Sequence, residues 1–261
     1  MQAGLDGYEP PALSEALRRC GDEGVDFLVL PECYFGGMPT EATASSLAFA
    51  SPYGRIIEAF AEAPAFTTIV TGFTEASTSG RIHSAAAVLH GGELLGVSHK
   101  LFPGEPFFAA GTGLPTYALG SHEFGVLICN DANFVEVGRM LALAGARVLA
   151  CCLNNDLPAQ VAERWVSRTR ATLIARAVEN DCWVVAADVA GVAGNRRGVG
   201  GACIIAPDGE VVLEAHGLPG FFATDISIAP SSMLTRWDIE SNPAVARQWS
   251  ELLRKYSRGR F

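Results

Sequence analysis

The stretch Phe124-Gly-Val-Leu-Ile-Cys-Asn-Asp-Ala-Asn-Phe-Val-Glu136 decides how this chain is read. Its apolar start ends at a cysteine, a polar cluster follows, and helical spacing resumes at Val135. A short apolar run bounded by polar residues is a buried strand, and Asn130-Asp131-Ala-Asn133 is the kind of cluster that opens a helix. The pattern then repeats: a helix over Val135 to Ala144, a strand over Val148 to Leu153, a long helix over Ala162 to Asn180, and a strand at Trp183. Strands alternating with helices predict sheets with helices outside them.

Working outward, periodicity predicts a helix over Pro11 to Cys20, a strand over Asp26 to Leu30 and a helix over Arg55 to Ala63. Strands follow at Thr67 to Gly72, Ile82 to Leu89 and Leu94 to His99, the last two joined at His90-Gly91-Gly92. Downstream, strands are expected at Ala202, Val211 and Phe221, with Pro207-Asp208-Gly209 as a hairpin turn. The opening strand is short or absent. Helices and strands interleave through both halves without a linker rich in proline or serine, so residues 1–230 read as one α/β domain of two sheets with helices outside. Residues 231–261 change character, with Trp237, Trp249 and a basic end at Arg254, Lys255, Arg258 and Arg260. They read as an extension that ends in a helix and packs on a neighbouring subunit.

Of 261 residues 49% are hydrophobic and 18% charged, enough apolar material for a sizeable core and too much for a disordered chain. Nineteen basic against 28 acidic residues leave a net charge of -9 with no basic block, which argues against nucleic acid or an anionic membrane as partner. Runs such as Val148 to Leu153 fall far short of the roughly 20 apolar residues of a spanning helix. Met1-Gln-Ala-Gly-Leu-Asp-Gly7 lacks the features of a secretory signal, so a cytoplasmic location with reduced thiols is expected. The seven cysteines are odd in number and contain no Cys-x-x-Cys pair, which fits neither a disulfide framework nor a zinc ribbon.

Three residues each follow an apolar strand, where a sheet presents side chains to a cleft. Glu32 comes just after Phe27-Leu-Val-Leu-Pro31; alone it would be an ordinary loop carboxylate. Lys100 follows Leu94-Leu-Gly-Val-Ser-His99, and it is one of only two lysines beside 17 arginines, which marks a site needing a compact ammonium unless the placement is chance. Cys129 precedes the helix-opening cluster, whose N-terminus favours a thiolate; the alternative is a buried structural cysteine, which suits the other six better. As a set, the carboxylate can take the thiol proton and return it to a leaving amine. The ammonium and the Asn130 backbone N–H can hold an oxyanion, making the chemistry acyl transfer through a thioester.

Leu30-Pro31-Glu32, Ser98-His99-Lys100-Leu101 and Ile128-Cys129-Asn130-Asp131-Ala132-Asn133-Phe134-Val135-Glu136 together resemble the nitrilase, or carbon-nitrogen hydrolase, superfamily. Arg176-Ala-Val-Glu179-Asn180 and Gly200-Gly-Ala202 continue the likeness, which covers Val25 to Asp225. The resemblance implies a four-layer α-β-β-α sandwich, a Glu32, Lys100 and Cys129 triad, no cofactor or metal, and a homodimer or higher homo-oligomer. It also implies Glu105 as a second active-site glutamate and places Asn130 and Phe134 at the substrate pocket. The chain departs from the family pattern at Val135, in place of a usual proline, at Asn130, in place of a frequent aromatic residue, and at its reduced opening strand. Asn154-Asn155-Asp156 resembles a segment of the apolipoprotein acyltransferase branch, which is set aside because no membrane-spanning run is found.

The expectation is a hydrolase of non-peptide carbon-nitrogen bonds acting on a small amide, with carbamoyl compounds and nitriles as alternatives under the same triad. A non-catalytic binding protein that keeps the fold is the alternative of another class, and a metal-dependent hydrolase is a third. Arg196 and Arg197 are candidates for binding a substrate carboxylate, or are solvated arginines of a surface hairpin.

Overall fold

A computed structural model describes residues 1–5, 9–229 and 243–257. Contacts divide the chain into one unit over Met1–Ile228 and another over Ala229–Phe261. The first unit opens with β1 (Gln2–Gly4), α1 (Pro10–Glu23), β2 (Phe27–Val29) and two short helices, α2 (Ala44–Leu47) and α3 (Gly54–Ala59). It continues with β3 (Thr68–Ala76), β4 (Ile82–His90), β5 (Glu93–His99), β6 (Thr116–Leu119) and β7 (His122–Ile128). A single 3₁₀ turn over Cys129–Asn133 leads to α4 (Val135–Leu143), β8 (Ala146–Cys152), β9 (Asp156–Pro158) and α5 (Ala159–Asn180). Four strands close the unit: β10 (Trp183–Ala193), β11 (Arg196–Val199), β12 (Cys203–Ile205) and β13 (Val211–Glu214).

One sheet has the order β2-β3-β4-β5; the other is nine-stranded, built on β13-β12-β10-β8-β7-β6, with β1 and β11 also pairing with β10 and β9 pairing with β11. The strands β7, β8 and β10 at its centre are parallel. Because alternate side chains of a strand face opposite ways, each central strand serves two cores. Val148, Ala150 and Cys152 of β8 join Val126 and Ile128 of β7 against Val70, Ala86 and Val88 of the other sheet. Their neighbours Leu149, Cys151 and Leu127 face outward onto Val137 and Leu141 of α4 and Leu173 and Ala177 of α5. On the far side Leu13, Leu17 and Cys20 of α1 cover Leu28, Ile69 and Leu89 of the smaller sheet. Helix, sheet, sheet and helix therefore stack in four layers, as the resemblance implies. Burial on both faces explains why β8 beyond Arg147 reads as an apolar run from Val148 onward.

Some expected elements differ. The opening strand exists but has three residues, paired in parallel with Asp188–Ala190 of β10. The helix expected to run to Ala63 stops at Ala59, where the Phe60 N–H turns to the Ile57 carbonyl. No strand forms at Phe221: Gly217, Pro219 and Gly220 break the run, and only Gly220 bridges to Gln2. β6, β9 and β11 are additions that hydropathy does not reveal, since they are short and partly exposed. Among the described residues no helix is long and apolar enough to cross a membrane. In the second unit α6 (Pro243–Ser257) is the helix read at the chain's end; Trp237, Arg258 and Arg260 of the expected extension lie outside the described residues.

Candidate active site

Glu32, Lys100 and Cys129 arrive from three strand ends. Past β2 the chain is held by backbone bonds from Leu30 N–H to the Val70 carbonyl and from Glu32 N–H to the Leu153 carbonyl, which bridges the two sheets. The Asn154 amide also donates to the Glu32 carbonyl at 3.1 Å. Gly72 of β3 makes this approach feasible. A Cβ built there would lie 2.3 Å from the Pro31 carbonyl oxygen, 2.5 Å from the Glu32 Cα and 2.6 Å from the Cys33 nitrogen. Gly72→Ala is expected to push the Glu32 segment away from β3 and cost about 1–3 kcal/mol or more. A urea midpoint unchanged from wild type would contradict this account.

The Glu32 carboxylate is 1% exposed, and its Oε1 accepts hydrogen bonds from Ser84 Oγ at 2.7 Å and Lys100 Nζ at 2.8 Å. Lys100 is equally buried, and its backbone N–H donates to the Ser84 carbonyl at the end of β4. Burial pulls its ammonium down, but Glu32, Cys129 and Glu105 outweigh that and hold it above its ordinary value, so it stays cationic. Glu105 is half-buried in the loop after Lys100, with Oε2 3.4 Å from Nζ. Phe108 anchors this loop in the interior, and His83 Nδ1 meets the Ala109 carbonyl at 2.9 Å.

Cys129 begins the 3₁₀ turn with φ of 46°, a left-handed conformation that non-glycine residues seldom adopt. It is half-buried, whereas the other six cysteines are buried. Burial and then the Glu32 charge push its thiol well up, against the pull of Lys100 and of the Asn154 backbone N–H. This corrects the expectation of a thiolate favoured by a helix N-terminus: one 3₁₀ turn supplies little dipole, and a buried carboxylate acts the other way.

Asp131, quoted only as part of the motif, fastens the pieces together. Its carboxylate accepts the N–H groups of Leu101 at 3.0 Å, Phe102 at 2.8 Å and Ile128 at 3.3 Å, tying the segment after Lys100 to the turn that carries Cys129. Burial pushes its carboxyl up to about 6 despite these donors. The Arg176 Nε donates to the Ala132 carbonyl at 2.8 Å, and Arg176 also pairs with Glu179, so the α5 motif braces the same turn. Ser84 and Gly72 carry no signal of their own in the sequence. Asp131 had one, its fixed place two residues after the cysteine.

Lys100, Glu105, Cys129, Asn130 and Asn154 line one cavity of about 230 Å³. Asn130 is tied by its amide to the Phe102 carbonyl at 2.8 Å. Asn154 keeps a buried Oδ1 with no hydrogen-bond partner among the described residues. Phe134 is not on the cavity wall: its ring stacks on Phe102, centroids 3.7 Å apart, and packs toward the helix core. Arg196 is bound to the Asp156 carboxylate at 2.9 Å, and neither it nor Arg197 reaches the cavity. Among the described residues no group of three or more His, Cys, Asp or Glu side chains is arranged to hold a metal ion.

A family model described as Carbon-nitrogen hydrolase matches residues 11–231. A Pseudomonas protegens protein described as "Hydrolase in pqqF 5'region" is 35% identical over 195 residues, 71% of this chain and 66% of that protein. The chain thus matches slightly less than two thirds of that relative's length. A deaminated glutathione amidase of Synechocystis sp. is 27% identical over 254 residues, 87% of this chain and 91% of its own. An amidase from Nesterenkonia sp. AN1 superposes with a TM-score of 0.76 at 21% identity, covering 95% of this chain and 97% of that one, and shares the fold. Four layers, the strand-end positions of Glu32, Lys100 and Cys129, and a match across most of its length make this chain a member of the carbon-nitrogen hydrolase family.

Proposed function

We propose that the protein hydrolyses small amides through a thioester on Cys129. The observation that carries this reading is the buried Glu32–Lys100 pair, 2.8 Å apart, behind a cavity that Lys100 shares with the half-buried Cys129. Glu32 takes the thiol proton, and the sulfur attacks the amide carbon. The resulting oxyanion is held by the Lys100 ammonium and the Asn130 backbone N–H. Glu32 then passes the proton to the leaving nitrogen, the C–N bond breaks, and ammonia departs. Water, deprotonated by Glu32 with Glu105 beside Lys100, attacks the thioester; the acid leaves and the thiol regains its proton. The buried Oδ1 of Asn154, without a partner among the described residues, accepts from the substrate's amide N–H. A relative described as an amidase supports the reading of an amide substrate, and relatives described as nitrilases keep nitriles among the compounds to test.

The test is ammonia release from short aliphatic amides, ω-amides of dicarboxylates, carbamoyl compounds and nitriles, with hydroxylamine added to intercept the acyl group. Hydroxamate formed at the expense of free acid is the expected result. Carbon dioxide released with ammonia would move the assignment to carbamoyl substrates. Hydrolysis without acyl transfer to hydroxylamine would remove the thioester, and no turnover of any compound would favour a binding protein.

A further inference from the structure

Strand β4 carries His83 and Ser84 side by side, and alternation along a strand sends the two side chains to opposite faces of the smaller sheet. Ser84 faces the site and holds Glu32. His83 is buried on the other face, directly across from Glu75 of β3, and its ring lies against that of His99 of β5, centroids 4.7 Å apart. Glu75 fixes His99 in turn: its buried carboxylate accepts from His99 Nε2 and from the Tyr53 hydroxyl. The His83 ring, held in this way, aims Nδ1 at the Ala109 carbonyl, 2.9 Å away. A carbonyl only accepts, so Nδ1 carries the proton.

Ala109 belongs to the loop that presents Glu105. The start of the loop is tied to Asp131 through the N–H groups of Leu101 and Phe102. Its base is closed by the Gly111 N–H, which donates to the Lys100 carbonyl at 2.8 Å. Between these points the Phe108 N–H donates to the Glu105 carbonyl at 3.1 Å, and the Ala109 N–H to the Ile82 carbonyl at 2.7 Å. Glu105 thus sits one turn from the place where His83 meets the loop. Its own contact with Lys100 is at the limit of a hydrogen bond, Oε2 to Nζ 3.4 Å, so a shift of about 0.5 Å takes the carboxylate out of reach. A group held to that tolerance needs a rigid support behind it.

We infer that His83 is a positioning residue that sets Glu105 in the cavity by holding the Ala109 carbonyl from the far face of the sheet. This rests on the proposed amide hydrolysis, in which Glu105 assists beside Lys100. Two adjacent residues of β4 then support both carboxylates of the site, Ser84 directly and His83 through the loop.

The test uses three substitutions of His83 in the full-length protein. In His83→Asn the amide nitrogen stands where Nδ1 stood and can donate to the same carbonyl. His83→Leu keeps the bulk without a donor, and His83→Ala keeps neither. For an amide that the wild type hydrolyses, kcat is expected to fall about 10-fold in His83→Leu and His83→Ala, the scale of a misplaced rather than a missing group, and to stay within about 2-fold of wild type in His83→Asn. Combined with Glu105→Gln, His83→Leu should change kcat by less than about 2-fold, because the two residues act along one path. An equal fall with and without Glu105→Gln, or a fall in His83→Asn as large as in His83→Leu, overturns the inference. Hydrogen exchange gives a reading that needs no turnover. Amides of residues 104–111 should exchange about 10-fold faster in His83→Leu and at the wild-type rate in His83→Asn, with residues 128–134 unchanged in both. Unchanged exchange over 104–111 in His83→Leu and His83→Ala rejects the positioning role. Faster exchange there, in a protein whose wild type hydrolyses no amide, keeps the support of the loop and removes the hydrolysis reading, so the two fail separately.

Discussion

Cys129→Ala is expected to fold as the wild type does and to lose amide turnover by about 10³-fold or more, the scale on which removal of a catalytic nucleophile acts. Cysteine and alanine meet the same cost in the left-handed conformation at this turn, and the bonds from Asp131 and Arg176 that hold it are untouched. The loss should therefore appear in kcat, with the circular dichroism and the urea midpoint preserved. Iodoacetamide gives a second readout. In the wild type it should modify Cys129 well ahead of the other six thiols, which are buried until the protein unfolds. Because burial and Glu32 hold the Cys129 thiol well above its ordinary value, the alkylation rate should climb as the pH rises above neutral. Peptide mass spectrometry locates the label. Full turnover by Cys129→Ala would end the proposal that sulfur is the nucleophile.

The second large effect concerns the buried ion pair. Lys100→Met removes the cation that faces Glu32 across 2.8 Å and leaves a carboxylate 1% exposed with, among the described residues, only the Ser84 hydroxyl on the same oxygen. Breaking a buried pair from one side costs about 3–5 kcal/mol, because the remaining charge is neither solvated nor neutralised. The double variant Lys100→Met with Glu32→Gln should recover much of that stability while remaining inactive. Urea denaturation of the two single variants and the double one measures the coupling. Purely additive losses would mean that the two groups do not stabilise one another. Glu32→Gln alone separates acid-base chemistry from electrostatics. It removes one of the two main causes that push the Cys129 thiol up, so alkylation should shift to lower pH. Turnover should nevertheless fall by about 10²–10⁴-fold, because the group proposed to carry the proton to the leaving nitrogen is gone. A variant that alkylates faster and also hydrolyses amides as well as wild type would remove Glu32 from the mechanism.

How far the sequence could be read depended on the range of the interaction involved. Strands β7 and β8 and helices α4 and α5 were legible because each is a continuous run with its own periodicity, buried as a unit. β6, β9 and β11 were not. They are three or four residues long, partly exposed, and exist because a neighbouring strand offers a free edge. Phe134 shows the same limit at the level of one side chain: its place in the motif pointed to the pocket, but the Phe102 ring, 32 residues earlier, draws it away. Arg196 and Arg197 were candidates for a carboxylate site, and Asp156 on the adjacent strand takes Arg196.

By itself the sequence determined the layered α/β class and singled out Glu32, Lys100 and Cys129 as candidates, since alternation and strand-end position are properties of neighbours along the chain. It also exposed the scarcity of lysine that drew attention to Lys100. Only the tertiary structure decided what those residues meet. Ser84 reaching Glu32, Asp131 collecting the N–H groups of Leu101 and Phe102, and Gly72 leaving room for the Glu32 backbone are contacts between segments far apart in sequence. Burial sets the proton affinities in the same way, because the low polarity around Cys129 and Asp131 is created by residues that no local window contains.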